Sequence, residues 1–410
     1  MPRGESIAAP RGTFDVLPAQ AALRRRVEQE ARELLEPAGY GRIETPAFEA
    51  TELFARGVGA ATDIVQKEMY TFDDGGGRSI TLRPEGTAPV CRAYVEHGMH
   101  KLPAPVKLYY LSSFFRHERA QAGRFRQFWQ VGAEALGSDD PALDAESIEL
   151  LSALLGRLGA RGLRLRLSSL GGPEARATYR EELQVYLRSR EQELSGEVRA
   201  RIELNPLRAF DSDHPGTRHV MAAAPRLLDR LEADDSEHFA QVCALLTQAG
   251  VAFELDPTLV RGIDYYTRTV FEFTSDALRA QSGVGGGGRY DGLVEQLGGP
   301  ATAGIGWAAG VERVLLAAAA EPPGPAPLDV FVAHEDSREG AFRALLEARR
   351  AGLSAQMELA GRSLKGQFKQ AARLRARYVA VVSAEGIELQ DVHASTQRAV
   401  THETLAEHLR

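Results

Sequence analysis

Two cysteines in 410 residues, Cys91 and Cys243, are too few and too far apart for a disulfide framework or a zinc ligand set. Lysine is scarce as well: only five of the 49 Lys and Arg residues are lysine, which reads as codon bias. No apolar run approaches the ~20 residues that a membrane-spanning helix needs. The opening residues Met1-Pro2-Arg3-Gly4-Glu5 lack the apolar core of a signal peptide. A cytoplasmic chain with no membrane partner is therefore expected. Positive charge is not in surplus either. The net charge of −7 argues against coating nucleic acid through bulk charge, yet leaves room for local basic patches. What is present is an ordinary globular balance of 44% hydrophobic and 26% charged residues. At about 150 residues per domain, the length predicts two or three domains.

Periodicity divides the chain. A helix is predicted from about Ala19 to Glu36, where Leu23, Val27, Leu34 and Leu35 recur near helical spacing and Pro37-Ala38-Gly39 supplies the stop. Arg42 to Pro46 alternates as a short strand whose proline suits an edge or an interface. Runs at 68–72 and 79–82 flank Asp73-Asp74-Gly75-Gly76-Gly77, a hairpin signal. Lys107 to Phe115 reads as a strand, with an antiparallel return through Val131-Gly132-Ala133-Glu134. A helix over 139–158 and a strand alternating at Leu163, Leu165 and Leu167 follow. From Gly171 to about Gly250 the chain is mostly helical, charged and short of motifs. That pattern predicts a helical insertion, 171–250, between two halves of one domain, 1–170 and 251–320. Asp211, Asp213, His214 and His219 meet no known metal-ligand spacing, and His97 with His100 reads as a helix end. Ala317 to Pro327 is proline-rich, and its core 321–327 reads as a linker. Beyond it, 328–410 alternates strands with helices, which predicts a small α/β domain with a largely parallel sheet.

Several stretches carry chemistry. Leu259 to Glu272 brings together Arg261, Asp264, Tyr265 and Tyr266 before a β-branched and aromatic run. A guanidinium beside two phenols can hold an anion and bind a small polar ligand; a plain loop with Arg261 paired to Asp264 uses the same residues. Leu82-Arg83-Pro84-Glu85-Gly86-Thr87 opens a helix through about Glu96. Capping and ligand contact account equally well for Glu85 and Thr87. Between Arg116 and Gln130, four arginines (Arg116, Arg119, Arg124, Arg126) face one acid, Glu118, at the end of a strand pair. Phe115, Phe125, Phe128 and Trp129 frame them. Such a place attracts polyphosphate or an RNA end, and apolar flanks strengthen each contact by lowering the local dielectric. The glycine run from Gly283 to Gly288 either turns flexibly or lets the backbone approach a ligand. Gly304 to Leu316 reads as a strand feeding a helix with Arg313 in its first turns. Finally, 361–377 holds Arg362, Lys365, Lys369, Arg373, Arg375 and Arg377 without an acid, a patch suited to RNA.

These stretches, in this order over nearly the whole chain, resemble the motifs of histidyl-tRNA synthetases, a class II aminoacyl-tRNA synthetase family. The resemblance implies an α+β catalytic domain on an antiparallel sheet, a tRNA-contacting helical insertion, and a C-terminal α/β anticodon-binding domain carrying Arg362, Lys365, Lys369 and Arg373. It implies a histidine–tRNA ligase that uses ATP with Mg²⁺, the metal arriving with ATP and not in a cage of side chains. By the same resemblance, Arg116 and Arg261 act on the α-phosphate, Arg124 reaches the β and γ phosphates, Arg313 clamps ATP, and Glu118 orients the adenine or the metal side. Glu85, Thr87, Gln130, Glu134, Arg261, Tyr265 and Tyr266 form the histidine pocket, while Arg119 and Gln121 face the tRNA acceptor end. Ala120 departs from the family's usual proline, which loosens the loop and removes no functional group. The helix and proline-bearing strand at 19–46 resemble the first class II motif and imply a homodimer. A regulatory paralogue that binds histidine without charging tRNA, of the ATP phosphoribosyltransferase regulatory type, should lack the phosphate arginines or the basic C-terminal domain; both are present.

Overall fold

The structure, a computed structural model, describes residues 7–59, 62–119, 123–259, 263–278, 282–324 and 326–409. It divides into two compact units, Met1–Glu321 and Pro322–Arg410. In chain order the first contains helix α1 (Pro18–Leu35), strands β1 (Gly41–Arg42) and β2 (Phe48–Ala50), helix α2 (Thr51–Phe54), strands β3 (Tyr70–Asp73) and β4 (Ser79–Leu82), and helix α3 (Thr87–Glu96). Strands β5 (Val106–Phe115) and β6 (Gln127–Leu136), helix α4 (Pro141–Arg157) and strand β7 (Leu163–Ser169) come next. Helices α5 (Pro173–Ser189), α6 (Gly196–Arg201), α7 (Pro215–Ala222) and α8 (Ala233–Gln248) follow. The unit closes with β8 (Glu254–Leu255), β9 (Thr267–Ser275), β10 (Gly283–Arg289), α9 (Leu293–Gln296), β11 (Gly304–Gly310) and α10 (Val311–Ala317).

Eight strands form one sheet in the order β1-β5-β6-β11-β10-β9-β7-β8. Only the edge strands β1 and β8 pair in parallel; the pairings between them are antiparallel. Alternation decides what each face carries. On β6, Val131, Ala133 and Ala135 join a core with Leu151 and Leu154 of α4, Val27 and Leu35 of α1, and Val314 of α10. Gln130 and Glu134 occupy the alternate positions and so take the opposite face. The apolar face anchors the sheet and the other is left for chemistry.

The glycine run is a strand. Gly285 to Gly288 lie in β10, between β9 and β11. A Cβ on Gly287 would overlap the Gly306 carbonyl, and one on Gly288 would meet the Thr269 oxygen at 2.6 Å. Close strand approach, and no flexible turn, requires glycine here. A buried ion pair ties this strand to α4: Arg289 Nε donates to Asp144 Oδ1 at 2.8 Å, and both side chains are fully buried. The same guanidinium reaches Asp291 Oδ1 at 2.8 Å and the Ser138 carbonyl at 3.0 Å. The strand predicted over 42–46 is shorter than its alternation implied, since β1 ends at Arg42, and Pro46 lies between β1 and β2.

The second unit contains β12 (Val330–His334), α11 (Arg338–Arg350), β13 (Ala355–Met357), α12 (Leu364–Arg373), β14 (Tyr378–Ser383), β15 (Gly386–Asp391), β16 (Thr396–Val400) and α13 (Leu405–Leu409). Val330 and Val332 join a core with Ala341 and Leu345 of α11, while Phe331 and Ala333 join one with Ala371 of α12. Burial on both faces is why β12 is an unbroken apolar run. The sheet is mixed, not largely parallel. Its order is β13-β12-β14-β15-β16, and the two pairings of β12 are parallel while β14-β15 and β15-β16 are antiparallel.

Candidate active site

The hairpin of β5 and β6 delivers the arginines. Arg116 leaves β5 with its backbone N–H donating to the Arg126 carbonyl at 2.9 Å. Its Nε donates to the Pro84 carbonyl at 2.8 Å, and its guanidinium lies 5.4 Å over the Phe128 ring. Glu118 sits between Arg116 and Arg124, with Nη1–Oε distances of 3.8 and 3.2 Å. The N-terminal segment braces this loop: Arg126 N donates to the Gly12 carbonyl at 2.7 Å, and the Phe14 and Phe125 rings are 4.7 Å apart. Arg313, in the first turn of α10, arrives from the other side. It donates to the carbonyls of Gly123 at 3.2 Å and Gly283 at 2.6 Å. Burial, then the neighbouring positive charge of Arg124, lowers its affinity for a proton below the ordinary arginine value. Like charges held this close favour an anion between them.

Arg116, Glu118, Arg124 and Arg313 share the lining of one cavity of about 360 Å³ with Glu85, Thr87, Gln130, Tyr265 and Tyr266. Glu85 precedes α3 and accepts from the backbone N–H groups of Thr87 at 2.7 Å and Ala88 at 2.9 Å. It therefore caps the helix and faces the cavity at once. Burial nonetheless pushes its pKa up. The Tyr265 hydroxyl approaches Glu85 Oε2 at 3.5 Å, and its ring packs against Tyr266 at 4.8 Å and Tyr290 at 5.7 Å. Gln130 Oε1 is buried without a hydrogen-bond partner among the described residues. Glu134 lies behind the lining. It sits opposite Gly306 on β11, where a Cβ would overlap its carboxylate. Burial raises the pKa of Glu134 to about 8. Burial first, then the buried acids and phenols around them, raises the phenols of Tyr110, Tyr265 and Tyr290 well above their usual value, so they remain protonated donors.

The structure thus gathers Arg116, Glu118, Arg124, Arg313, Glu85, Thr87, Gln130, Tyr265 and Tyr266 from four separated stretches, with Glu134 directly behind them. Arg261 and Gln121 lie outside the described residues. Arg119 is exposed and is not part of the cavity lining. Sequence reasoning missed Tyr110, Tyr290 and Glu272, all of which line the cavity. A signal for Tyr110 existed: Gly132 stands opposite it on β6, and a Cβ there would overlap the Tyr110 ring. An isolated glycine in a strand marks such an approach. Among the described residues, no group of three or more His, Cys, Asp or Glu side chains gathers as a metal site. No helix among them is long and apolar enough to cross a membrane.

In the second unit, Lys365, Lys369 and Arg373 recur every four residues on α12 and are exposed, so they share one face. Arg362 is also exposed, but its Nη1 is 3.2 Å from Glu358 Oε1, an acid just upstream of the stretch that looked free of acids. Its charge is partly offset.

An antiparallel sheet flanked by helices, with arginines from a strand hairpin and from a strand–helix junction converging on one cavity, defines a class II aminoacyl-tRNA synthetase catalytic unit. The histidyl-tRNA synthetase family model matches residues 12–314. The chain belongs to that family. It is 49% identical over 416 residues to a histidine–tRNA ligase of Desulforudis audaxviator, covering 98% of each chain. A histidine–tRNA ligase of Geobacillus thermodenitrificans is 48% identical over 389 residues, covering 93% of this chain and 91% of that one. The crystal structure of apo S. aureus histidyl-tRNA synthetase superposes with a TM-score of 0.82 at 35% identity, covering 98% of this chain and 100% of that one.

Proposed function

We infer that the chain is an ATP-dependent histidine–tRNA ligase, which activates histidine as its adenylate and transfers it to the 3′ end of histidine tRNA. One observation carries the reading: a single cavity is lined both by three guanidinium groups and by a buried carboxylate, amide and phenol set. In the first step the histidine carboxylate attacks the α-phosphorus of ATP in line, and pyrophosphate leaves. Charge grows on the phosphoryl oxygens, so pre-placed cations provide most of the acceleration. Arg116 and Arg261 are assigned to the α-phosphate, Arg124 and Arg313 to the leaving pyrophosphate, and Glu118 to the adenine or metal side. Mg²⁺ would arrive on the phosphates and supply neutralising charge; Glu118 and Glu272 are carboxylates of the cavity lining suited to hold it. In the second step a hydroxyl of the terminal ribose attacks the acyl carbon, and AMP leaves.

The amino acid pocket is assigned to Glu85, Thr87, Gln130, Arg261, Tyr265 and Tyr266, with Glu134 behind its wall. An imidazole offers a donor and an acceptor. Protonated phenols and an unpartnered buried amide oxygen are complementary to both. A side chain without those groups leaves buried partners unsatisfied, which gives discrimination on the order of 10⁴–10⁵. The remaining assignments rest on family membership. Arg119 and Gln121 face the acceptor end, 171–250 is a tRNA-contacting insertion, and 328–410 binds the anticodon through Arg362, Lys365, Lys369 and Arg373. The enzyme works as a cytoplasmic homodimer. Histidine-dependent ATP–pyrophosphate exchange, followed by charging of histidine tRNA, tests the reading. Histidine binding with neither activity would overturn it in favour of a regulatory paralogue.

A further inference from the structure

The described part of the loop that bears Tyr265 and Tyr266 is hydrogen-bonded from outside the cavity. Arg176 on α5 extends Nη1 to two backbone carbonyls of that loop, Asp264 at 3.0 Å and Tyr266 at 2.7 Å. Asn205, also from the helical segment between β7 and β8, donates through Nδ2 to Asp264 Oδ1 at 3.3 Å. Just inside β9, Arg268 sits at φ +43, a left-handed conformation that a side chain disfavours. Gly171 and Asp235 secure it: Arg268 N donates to the Gly171 carbonyl at 2.9 Å, and Arg268 Nε to Asp235 Oδ1 at 2.9 Å. The β9–β10 register shifts at this same place. The sheet ladder therefore does not by itself set where the two tyrosine rings point.

We propose that Arg176 is a positioning residue for histidine recognition: by bridging the carbonyls of Asp264 and Tyr266 it fixes the two tyrosine rings, and so sets histidine affinity from a helix that does not line the cavity. Arg176 is absent from the cavity lining, so its effect must pass through the loop backbone. A hydrogen bond from a charged donor is roughly twice as strong as a neutral one, and removing this donor frees both carbonyls. The consequence is that histidine affinity is tied to the seating of α5. This inference rests on the ligase reading, because it concerns the histidine end of that site.

The test is the split between two Michaelis constants in ATP–pyrophosphate exchange. Arg176→Ala is expected to raise the histidine KM roughly tenfold and the ATP KM less than about twofold. Arg176→Lys, which keeps the charge and a donor, should fall between that variant and wild type. Asn205→Ala should shift the histidine KM the same way by a smaller factor. An unchanged histidine KM overturns the proposal. So does an equal rise in both constants, or a lower kcat alone, which is the signature of lost folded enzyme. If the alanine variant is insoluble, the lysine variant is read by the same criterion. Wild-type enzyme measured in parallel keeps the two readings apart. Exchange with no selective shift in the variants overturns only the role of Arg176; no wild-type exchange overturns the ligase reading and this inference with it.

Discussion

The Tyr290 hydroxyl donates to Glu134 Oε2 at 2.7 Å, joining the residue after β10 to the C-terminal part of β6. Thr87 donates to the other oxygen at 2.8 Å, and Tyr110 approaches it at 3.4 Å. Three hydroxyls thus converge on one carboxyl with no accessible surface. They favour its charged form, yet burial outweighs them and raises the pKa from 4.5 to about 8.

That shift has a signed consequence for stability. Between about pH 4.5 and pH 8 the folded protein holds a proton on Glu134 that the unfolded chain has released. The contribution is fully present below the lower value and is lost as pH rises through the upper one. The Tm of the ligand-free protein should therefore carry a falling component across this interval. Glu134→Gln, neutral at every pH, should flatten it. An unaltered Tm–pH slope in the variant would show that Glu134 titrates normally.

Arg116→Ala should lower the rate of adenylate formation by roughly 10²–10³-fold, the effect of removing one pre-placed donor from developing charge. The same range is expected for Arg261→Ala. Single-turnover measurement of adenylate formation reads this directly. Near-normal rates would remove these arginines from the phosphate site.

Tyr266→Phe should raise the histidine KM and leave the ATP KM near wild type, because only a hydroxyl is lost and the ring still packs against Tyr265. Titration of histidine at saturating ATP is the measurement. An unshifted histidine KM would show that the hydroxyl is not a ligand.

Asp144→Ala should destabilise the protein by about 3–5 kcal/mol, because it leaves the fully buried Arg289 short of its main counter-charge. Urea unfolding followed by fluorescence would report it. A loss under about 1 kcal/mol would show that Asp291 alone suffices for Arg289.

Much of this arrangement was legible in the sequence where one strand or helix carries it alone. Alternation in β6 separates Val131, Ala133 and Ala135 from Gln130 and Glu134, so a period of two already assigns the pocket face. The α3 start was legible too, although capping and ligand contact competed for Glu85, and its carboxylate in fact caps the helix while lining the cavity. Local pattern failed where side chains are missing or pairing direction matters. A run of glycines has no periodicity, so β10 looked the same as a flexible turn. Strand β14 reads alike whether its next partner runs parallel or antiparallel.

By itself, then, the sequence determined the order of the motifs, the family they belong to, and the face on which most polar side chains lie. Tertiary structure alone decided that Arg313 shares one cavity with Arg116 and Arg124, that Tyr290 reaches Glu134, and that Arg176 holds the tyrosine loop. The reason is physical. Periodicity records which face of an element is buried, whereas a contact between distant residues depends on strand order and register, which no single stretch encodes.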